Sequence, residues 1–279
     1  MRIYISLDME GMPGTWNWEQ EKRDRNSVKK AIYNHTKDVI EAILGSVENS
    51  KISEIIIADS HGMGDNLDYE ITALDKRISL VSGSPRPFYM MPAFDKDISA
   101  VIFLGYHAGS GAAHGNMDHT YSNSRVHRLW INDIPMNEAF INAAYAGHYD
   151  IPVVLITGDQ TLKEELQNTP LSEAEYVVTK QSIAKFAAMN YSMLKVQEEL
   201  KEKVKIALQK IEQPLQRYKF TSPITLKILF NSSSMADVAA LVPCTTRLDG
   251  RTIAFTHNDY AVVFETIVAL TTIAYTVNP

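Results

Sequence analysis

The chain has 279 residues, of which 45% are hydrophobic and 22% are charged, and its formal net charge is -6. No block of lysine and arginine stands out, which argues against nucleic acid as a partner, and no apolar run approaches the roughly 20 residues that span a membrane. The single cysteine, Cys244, excludes an intrachain disulfide. Because no signal-peptide pattern follows Arg2, we expect a soluble protein of the reducing cytoplasm.

The first predicted element is a strand over residues 2–7, which is rich in β-branched and aromatic side chains. Asp8 and Glu10 follow it directly, and side chains two positions apart point to the same face of an extended chain. Two converging carboxylates repel each other unless a cation or a shared proton relieves them. Metal binding or acid/base chemistry is one interpretation of this pair, and capping of the next helix is the other. Residues 16–26 are predicted to form a polar loop over this site.

Apolar residues recurring about every 3.6 positions predict a helix over residues 28–47. His35 lies on its apolar stripe and is interpreted as a core residue. The next strand, over residues 54–58, runs into His61. A strand, a helix and a strand at this spacing predict a parallel sheet with a right-handed crossover. In such sheets the ligands bind at the carboxyl ends of the strands, where His61 joins the two acids.

Two further strands carry polar residues at the same predicted edge. The strand over residues 100–104 runs into His107, and the strand over residues 152–157 runs into Asp159. Between them, a helix is predicted to begin after Pro135. Glu138 lies in its first turn, where an acidic residue is common for dipole reasons alone. The first three of these strand ends carry residue types that bind metals, and they therefore point to one site.

The rest of the chain predicts further strands and helices. They are a short strand at 127–131, an edge strand at 175–179, a helical region from about Ser182 that ends at Pro214, strands at 224–230 and 251–256, and helices at 235–241 and 260–274. The predicted fold class is α/β, with a mainly parallel sheet flanked by helices and a smaller C-terminal α+β lobe. Residues 1–188 are predicted to form the metal-binding catalytic domain. Residues 189–279 are predicted to form a smaller α+β domain for packing or oligomerisation.

The candidate ligand set combines imidazole and carboxylate without thiolate, which suits zinc, cobalt or manganese at a catalytic site. Its members are Asp8, Glu10, His61 and His107, with His119 and Glu138 nearby in the sequence. Three carboxylates and two histidines exceed what one catalytic zinc with an open position needs. They suit two metals about 3.5–4 Å apart, which lower the pKa of a bridging water and polarise a carbonyl. The remaining histidine can move protons or stabilise an oxyanion.

At these residues the sequence resembles the zinc-dependent D-aminopeptidases of the dipeptide transport protein A family. Ser6-Leu7-Asp8-Met9-Glu10-Gly11 fits the Ser-x-Asp-x-Glu-Gly signature of that family. The other landmarks follow in the same order, and they are Asp59-Ser60-His61, Leu104-Gly105-Tyr106-His107, Met117-Asp118-His119 and Pro135-Met136-Asn137-Glu138. The resemblance covers most of residues 1–180. The loop at Ala112-Ala113-His114 and the Gln160 that follows Asp159 depart from the family pattern.

The resemblance implies a role for each candidate residue. In this scheme Asp8 bridges two zinc ions, Glu10 and His61 complete one site, and His107 and Glu138 complete the other. His119 matches the catalytic histidine of the family, which has been described as a nucleophile. We favour a general acid/base or oxyanion role for it, because an activated water already supplies the nucleophile.

The resemblance also implies a substrate and an assembly. Family members remove N-terminal D-residues, notably D-alanine, from short peptides and amides, and they form rings of ten subunits. We therefore predict a binuclear zinc aminopeptidase that uses a metal-activated water and assembles as a homo-oligomer. Cobalt or manganese could replace zinc. Another two-metal amidohydrolase or phosphoesterase is one alternative, and a metal-dependent peptide-binding protein without turnover is another.

Overall fold

The computed structural model describes residues 1–278, and its centre is a seven-stranded sheet in the order β3-β2-β1-β4-β7-β8-β9. In chain order the strands are β1 Arg2–Leu7, β2 Glu54–Asp59, β3 Ile78–Val81, β4 Ala100–Tyr106, β5 Val126–Ile131, β6 Ile134–Pro135, β7 Val153–Asp159, β8 Glu175–Ala184, β9 Ala187–Asn190, β10 Ile224–Phe230, β11 Thr245–Arg247 and β12 Thr252–His257. Every pairing in this sheet is parallel except that of β8 with β9. The carboxyl ends of β1, β2, β4 and β7 therefore lie along one edge.

Helices cover both faces of the seven-stranded sheet. The helices of the chain are α1 Glu19–Arg23, α2 Arg25–Leu44, α3 Glu138–His148, α4 Gln160–Glu165, α5 Met193–Lys210, α6 Ser233–Ala239 and α7 Tyr260–Ile273. Successive side chains of β1 point to opposite faces of the sheet, so the strand contributes to two separate cores. Ile3 and Ile5 pack with the apolar stripes of α2 and α5, whereas Tyr4 packs in the core that contains α3 and α7. The sheet is therefore buried on both sides, as a parallel sheet requires.

A second, antiparallel sheet of five strands has the order β11-β12-β10-β5-β6. It takes β5 and β6 from the chain between β4 and α3, and its other three strands from the last third of the chain. The helix α7 packs against α3, where the rings of Tyr145 and Phe264 stack at 4.5 Å. The division of the chain at residue 188 stays a prediction, and the second sheet contains residues from both sides of it.

The predicted α/β class with a mainly parallel sheet is confirmed, while the prediction of a helix from about Ser182 is wrong. The chain does not turn helical at Ser182, because β8 continues to Ala184 and pairs with β9 before α5 begins at Met193. Apolar and polar residues are mixed in this hairpin without a regular alternation, so the sequence does not mark them as strands. Their structure comes from cross-strand hydrogen bonds instead. Within residues 1–278, no helix combines the length and the apolar character that crossing a membrane requires.

The interpretation of His35 as a core residue is confirmed. It is buried on α2, and its Nε2 lies 2.9 Å from Oγ1 of Thr157 on β7. The same Oγ1 accepts a hydrogen bond from the backbone N–H of Gly105 at 3.0 Å. Burial lowers the pKa of His35 to about 4. The imidazole is therefore neutral at pH 7 and connects α2 to the central strands.

We expect His35 to make the fold sensitive to mild acid. Its pKa is about 6.5 in the unfolded chain and about 4 in the native protein. The stability that it contributes is therefore present above pH 6.5 and is lost as pH falls from 6.5 towards 4. The loss amounts to about 3 kcal/mol in all. Urea unfolding of the chelated wild type and of His35→Gln at pH 7 and pH 4.5 measures this effect. The wild type should lose more stability than the variant, and an equal loss would contradict the prediction.

Candidate metal centre

All six candidate residues meet at the carboxyl edge of the seven-stranded sheet. Asp8 and Glu10 follow β1, His61 follows β2, His107 follows β4, His119 lies in the loop before β5, and Glu138 opens α3. The ligand atoms of Asp8, Glu10 and His61 lie within 4.8 Å of one another, and so do those of His107, His119 and Glu138. The expectation that the strand ends bring these side chains together is therefore met. Their individual roles stay predictions.

The loop that carries the two acids is bound tightly to the end of β4. The backbone N–H of Asp8 donates to Leu104 O at 2.8 Å, and that of Gly11 donates to Gly105 O at 2.7 Å. A Cβ atom at Gly11 would lie 1.8 Å from Tyr106 O. Because this is far inside van der Waals contact, only glycine fits at the last position of the Ser-x-Asp-x-Glu-Gly segment. The close approach fixes the direction in which both acids point.

Lys180 anchors the same loop from β8. Its side chain is fully buried, and its Nζ donates hydrogen bonds to Glu10 O at 2.6 Å, to Thr15 Oγ1 at 2.8 Å and to Thr15 O. Burial lowers the pKa of this ammonium to about 7. Lys180 does not stand out in the sequence as a site residue, because a lysine in a half-polar strand usually faces solvent.

The first ligand group is built around His61. Its Nδ1 lies 3.1 Å from both Asp8 Oδ1 and Glu10 Oε2, and its Nε2 lies 3.2 Å from Glu21 Oε1 on α1. A carboxylate on the outer ring nitrogen is the usual partner of a histidine that binds a metal. Glu21 comes from the segment predicted as a loop, which contains the short helix α1 and does lie over the site. No local sequence pattern marks Glu21 as a site residue.

The second ligand group contains two parallel imidazoles. His107 Nε2 lies 3.4 Å from Asp8 Oδ2 and 3.5 Å from Glu138 Oε2. The ring of His119 stacks on that of His107 with centroids 4.4 Å apart, and its Nε2 lies 3.5 Å from Glu138 Oε1. The Nδ1 of His107 lies 2.9 Å from Ala108 O, and that of His119 lies 3.0 Å from Met117 O. A carbonyl oxygen only accepts, so Nδ1 carries the proton and Nε2 faces the acids.

Neighbouring donors orient the two glutamates. The indole Nε1 of Trp18 donates to Glu10 Oε1 at 2.6 Å, and the backbone N–H of Tyr121 donates to Glu138 Oε1 at 2.7 Å. Burial and the charge of Glu10 raise the pKa of Asp8 to about 7. The acids are therefore fixed in direction while they repel each other.

The donor atoms fit a pair of divalent cations. Among residues 1–278, three buried atoms of this cluster have no hydrogen-bond partner, and they are Asp8 Oδ2, Glu10 Oε2 and His107 Nε2. Unpaired buried polar atoms are costly, and a cation would satisfy all three. Nitrogen and oxygen donors without thiolate suit zinc, cobalt or manganese. Asp8 is the only one of the acids with one oxygen towards His61 and the other towards His107.

A cavity of about 300 Å³ opens onto the cluster. Aromatic and hydroxyl side chains form its walls, and they include Trp18, Tyr89, Tyr121, Ser122, Ser124 and Tyr275. The hydroxyl groups of Ser122 and Tyr275 lie 2.7 Å apart, so the end of the described chain contributes to this wall. The cavity is of the size that binds small ligands.

Comparisons with known proteins agree with this geometry. The family model described as D-aminopeptidase, peptidase M55, matches residues 1–269. The chain is 29% identical over 275 residues to a D-aminopeptidase of Bacillus subtilis (strain 168), and the match covers 98% of each chain. It also superposes on the solved structure of the Zn-dependent D-aminopeptidase DppA from Bacillus subtilis, a self-compartmentalizing protease. That superposition has a TM-score of 0.89 and 28% identity, and it covers 100% of both chains.

These matches confirm the predicted family and the predicted class of enzyme, a metallo-aminopeptidase. They cover the second sheet as well as the strand ends that carry the candidate ligands. The chain belongs to the D-aminopeptidase family, peptidase M55.

Proposed function

We propose that the chain is a two-zinc aminopeptidase that removes an N-terminal D-residue, D-alanine first, from short peptides or amides. The observation that carries this proposal is the pair of three-residue candidate ligand groups beneath one cavity, which five of the six residues line. The description of the Bacillus subtilis relative as a Zn-dependent D-aminopeptidase supports both the metal and the stereochemistry.

The distances support the proposed ligand roles. Asp8 would be shared by the two ions, because its Oδ1 faces His61 and its Oδ2 faces His107. Glu10 and His61 complete one site, and His107 and Glu138 complete the other. When bound, two such ions lower the pKa of a water molecule to near neutral pH and polarise the carbonyl under attack. Trp18 and Tyr121 each bind one oxygen of a glutamate, which leaves the other oxygen for an ion.

We propose that His119 transfers a proton during the reaction. Its Nδ1–H is held by Met117 O, so the free Nε2 faces the cluster and can accept a proton there. The edge of the Trp18 ring lies against His119, with centroids 5.4 Å apart. A base with fixed orientation beside the scissile amide can pass the proton to the leaving amine. The protonated ring would also face the oxyanion that forms on the carbonyl.

A two-metal phosphoesterase is less well supported than a peptidase. Phosphate esters need cationic side chains beside the metals to offset the charge on their oxygens. The cavity above the cluster has no lysine or arginine among its lining residues in the part of the chain that the structure describes. A neutral amide bond and a free amine suit a site with three carboxylates better.

We also propose that the protein works in the cytoplasm as a homo-oligomer, with a ring of ten subunits as the assembly. The relative from Bacillus subtilis is described as a self-compartmentalizing protease, which supports an assembly. Exposed apolar side chains cluster around the β8–β9 hairpin and the start of α5, and they are Ile183, Phe186, Met189, Met193 and Leu194. Such a surface is typical of a contact between subunits. The single free cysteine suits a reducing compartment.

The test of the proposed function is the rate of alanine release from D-alanine amide and from L-alanine amide. We expect release from the D-isomer, loss of that activity after chelation, and recovery after zinc is added back. Cobalt and manganese added to the chelated protein identify the metal preference. Faster release from the L-isomer would contradict the stereochemical proposal. Absence of release from either isomer by metal-loaded protein would contradict the peptidase proposal.

A further inference from the structure

A second cavity, of about 440 Å³, adjoins the metal centre on another side of His119. His119 and Asn123 line both cavities, so the two spaces meet at the histidine. We call the second space the basic cavity, because its walls include Arg128, Lys185 and His127 with Asp118 as its one acid. None of its cationic residues belongs to the candidate metal ligands. The function proposed above does not explain these cationic residues.

Within residues 1–278, Lys185 of the basic cavity has its charge neutralised by an acid, whereas Arg128 does not. Lys185 Nζ lies 2.8 Å from Asp118 Oδ1, which forms an ion pair. Within residues 1–278, by contrast, no carboxylate lies within 4.0 Å of the Arg128 guanidinium. Its Nη2 donates to Ser110 O at 3.3 Å, which is a long hydrogen bond for a group with five donors. Arg128 is half-buried, on β5 of the second sheet.

The loop that follows β4 fits closely around this guanidinium. Gly111 has a φ of +81°, and a Cβ atom there would lie 2.9 Å from Arg128 Nη2. Asp118 Oδ2 accepts from the backbone N–H of Gly111 at 2.7 Å, which holds the loop in place. Arg128 is therefore packed against this loop, and it lines the basic cavity. Such a guanidinium is suited to bidentate binding of a carboxylate.

We propose that the basic cavity binds the C-terminal carboxylate of the peptide substrate, with Arg128 as its main partner. The inference rests on the proposed function, because it places the scissile amide beside His119 between the two cavities. The amine end then lies over the carboxylates of the metal centre, and the carboxylate end lies over the guanidinium. A peptide held at both ends has a limited length, since each extended residue spans only about 3.3–3.6 Å. The enzyme would thus select very short peptides with a free C-terminus.

The test compares D-alanyl-D-alanine with its C-terminal amide, which differ only in the group that the basic cavity would bind. We measure kcat and KM for both in the metal-loaded wild type, Arg128→Gln, Arg128→Lys and a control, Arg23→Gln. Arg23 is a suitable control, since its side chain is 81% exposed and, within residues 1–278, its only ion pair is a 3.9 Å contact with Glu19. In Arg128→Gln the ratio of kcat/KM for the acid to that for the amide should fall about tenfold to hundredfold. The ratio for Arg128→Lys should lie between those of the wild type and Arg128→Gln, and Arg23→Gln should keep the wild-type ratio.

An equal loss on both peptides in Arg128→Gln would overturn the proposal, because Arg128 would then act only by supporting the loop. A wild-type preference for the amide would overturn it as well. If the wild type cleaves neither peptide, the proposed function fails, and the cavity is tested separately by calorimetry. Binding of the acid at least tenfold tighter than the amide, with the difference lost in Arg128→Gln, would still support the carboxylate site. Equal affinities would overturn it.

Discussion

Replacement of His119 by alanine is expected to lower kcat about a hundredfold to ten-thousandfold while the metal content of the protein stays unchanged. The reason is the position of His119 Nε2, which faces Glu138 Oε1 at 3.5 Å and Glu10 Oε1 at 3.8 Å. At this place the ring can carry a proton between the attacking water and the leaving amine. The other histidines of the cluster each lie closer to two acids, as ligands do.

Metal analysis of the dialysed variant distinguishes a catalytic role from a ligand role. His119 also lies within ligand distance of His107 and Glu138, so loss of one ion in His119→Ala would make it a ligand and contradict the proposed role. An unchanged kcat would show that His119 takes no part in the reaction. Asp8→Ala is the matched comparison, because loss of the proposed bridge should reduce both the metal content and the activity.

Replacement of Lys180 by methionine is expected to lower the free energy of unfolding by about 2–4 kcal/mol and to weaken metal binding. Methionine has a similar length but donates no hydrogen bond, so Thr15 O loses a buried donor and Glu10 O keeps only the longer bond from Thr15 Oγ1 at 3.2 Å. Each unsatisfied acceptor costs about 1–3 kcal/mol, and removal of the buried amine offsets part of that loss. Because the loop between these carbonyls carries Glu10, its relaxation should also loosen the first ligand group.

Denaturant unfolding of the metal-free proteins measures the loss of stability, and competition with a coloured chelator measures metal affinity. Lys205 lies exposed on α5, so Lys205→Met is the control and should leave both quantities unchanged. Should Lys180→Met fail to fold, Thr15→Val removes one of the partners of Lys180 and should show a smaller loss. Wild-type stability and affinity in both variants would contradict the role of Lys180 as an anchor.

The strand ends were predictable from the sequence for a physical reason. A buried parallel strand is a continuous apolar run, so the change to Asp8, His61 and His107 marks where each strand leaves the core. Parallel pairing then brings these ends to one edge. This reasoning needs only local patterns and the topology of the sheet, which explains why the α/β class and the convergence of the ligands could both be predicted.

The supporting residues depend on contacts that no local pattern encodes. Lys180 is separated from Glu10 by 170 positions in the chain, and Glu21 is separated from His61 by 40. A lysine on a strand or a glutamate on a short polar helix is normally exposed, so neither stands out in the sequence. The β8–β9 hairpin was mistaken for helix for the same reason, because pairing between its strands outweighs its weak pattern.

The candidate metal ligands and the proposed carboxylate site belong to different sheets, so they can change independently during evolution. The candidate metal ligands lie at the edge of the seven-stranded sheet and at the start of α3, whereas Arg128 belongs to β5 of the five-stranded sheet. Substitutions in β5 and in the loops around it can therefore change which peptide ends are accepted without moving a ligand. The chemistry can be inherited intact while the substrate range diverges between relatives.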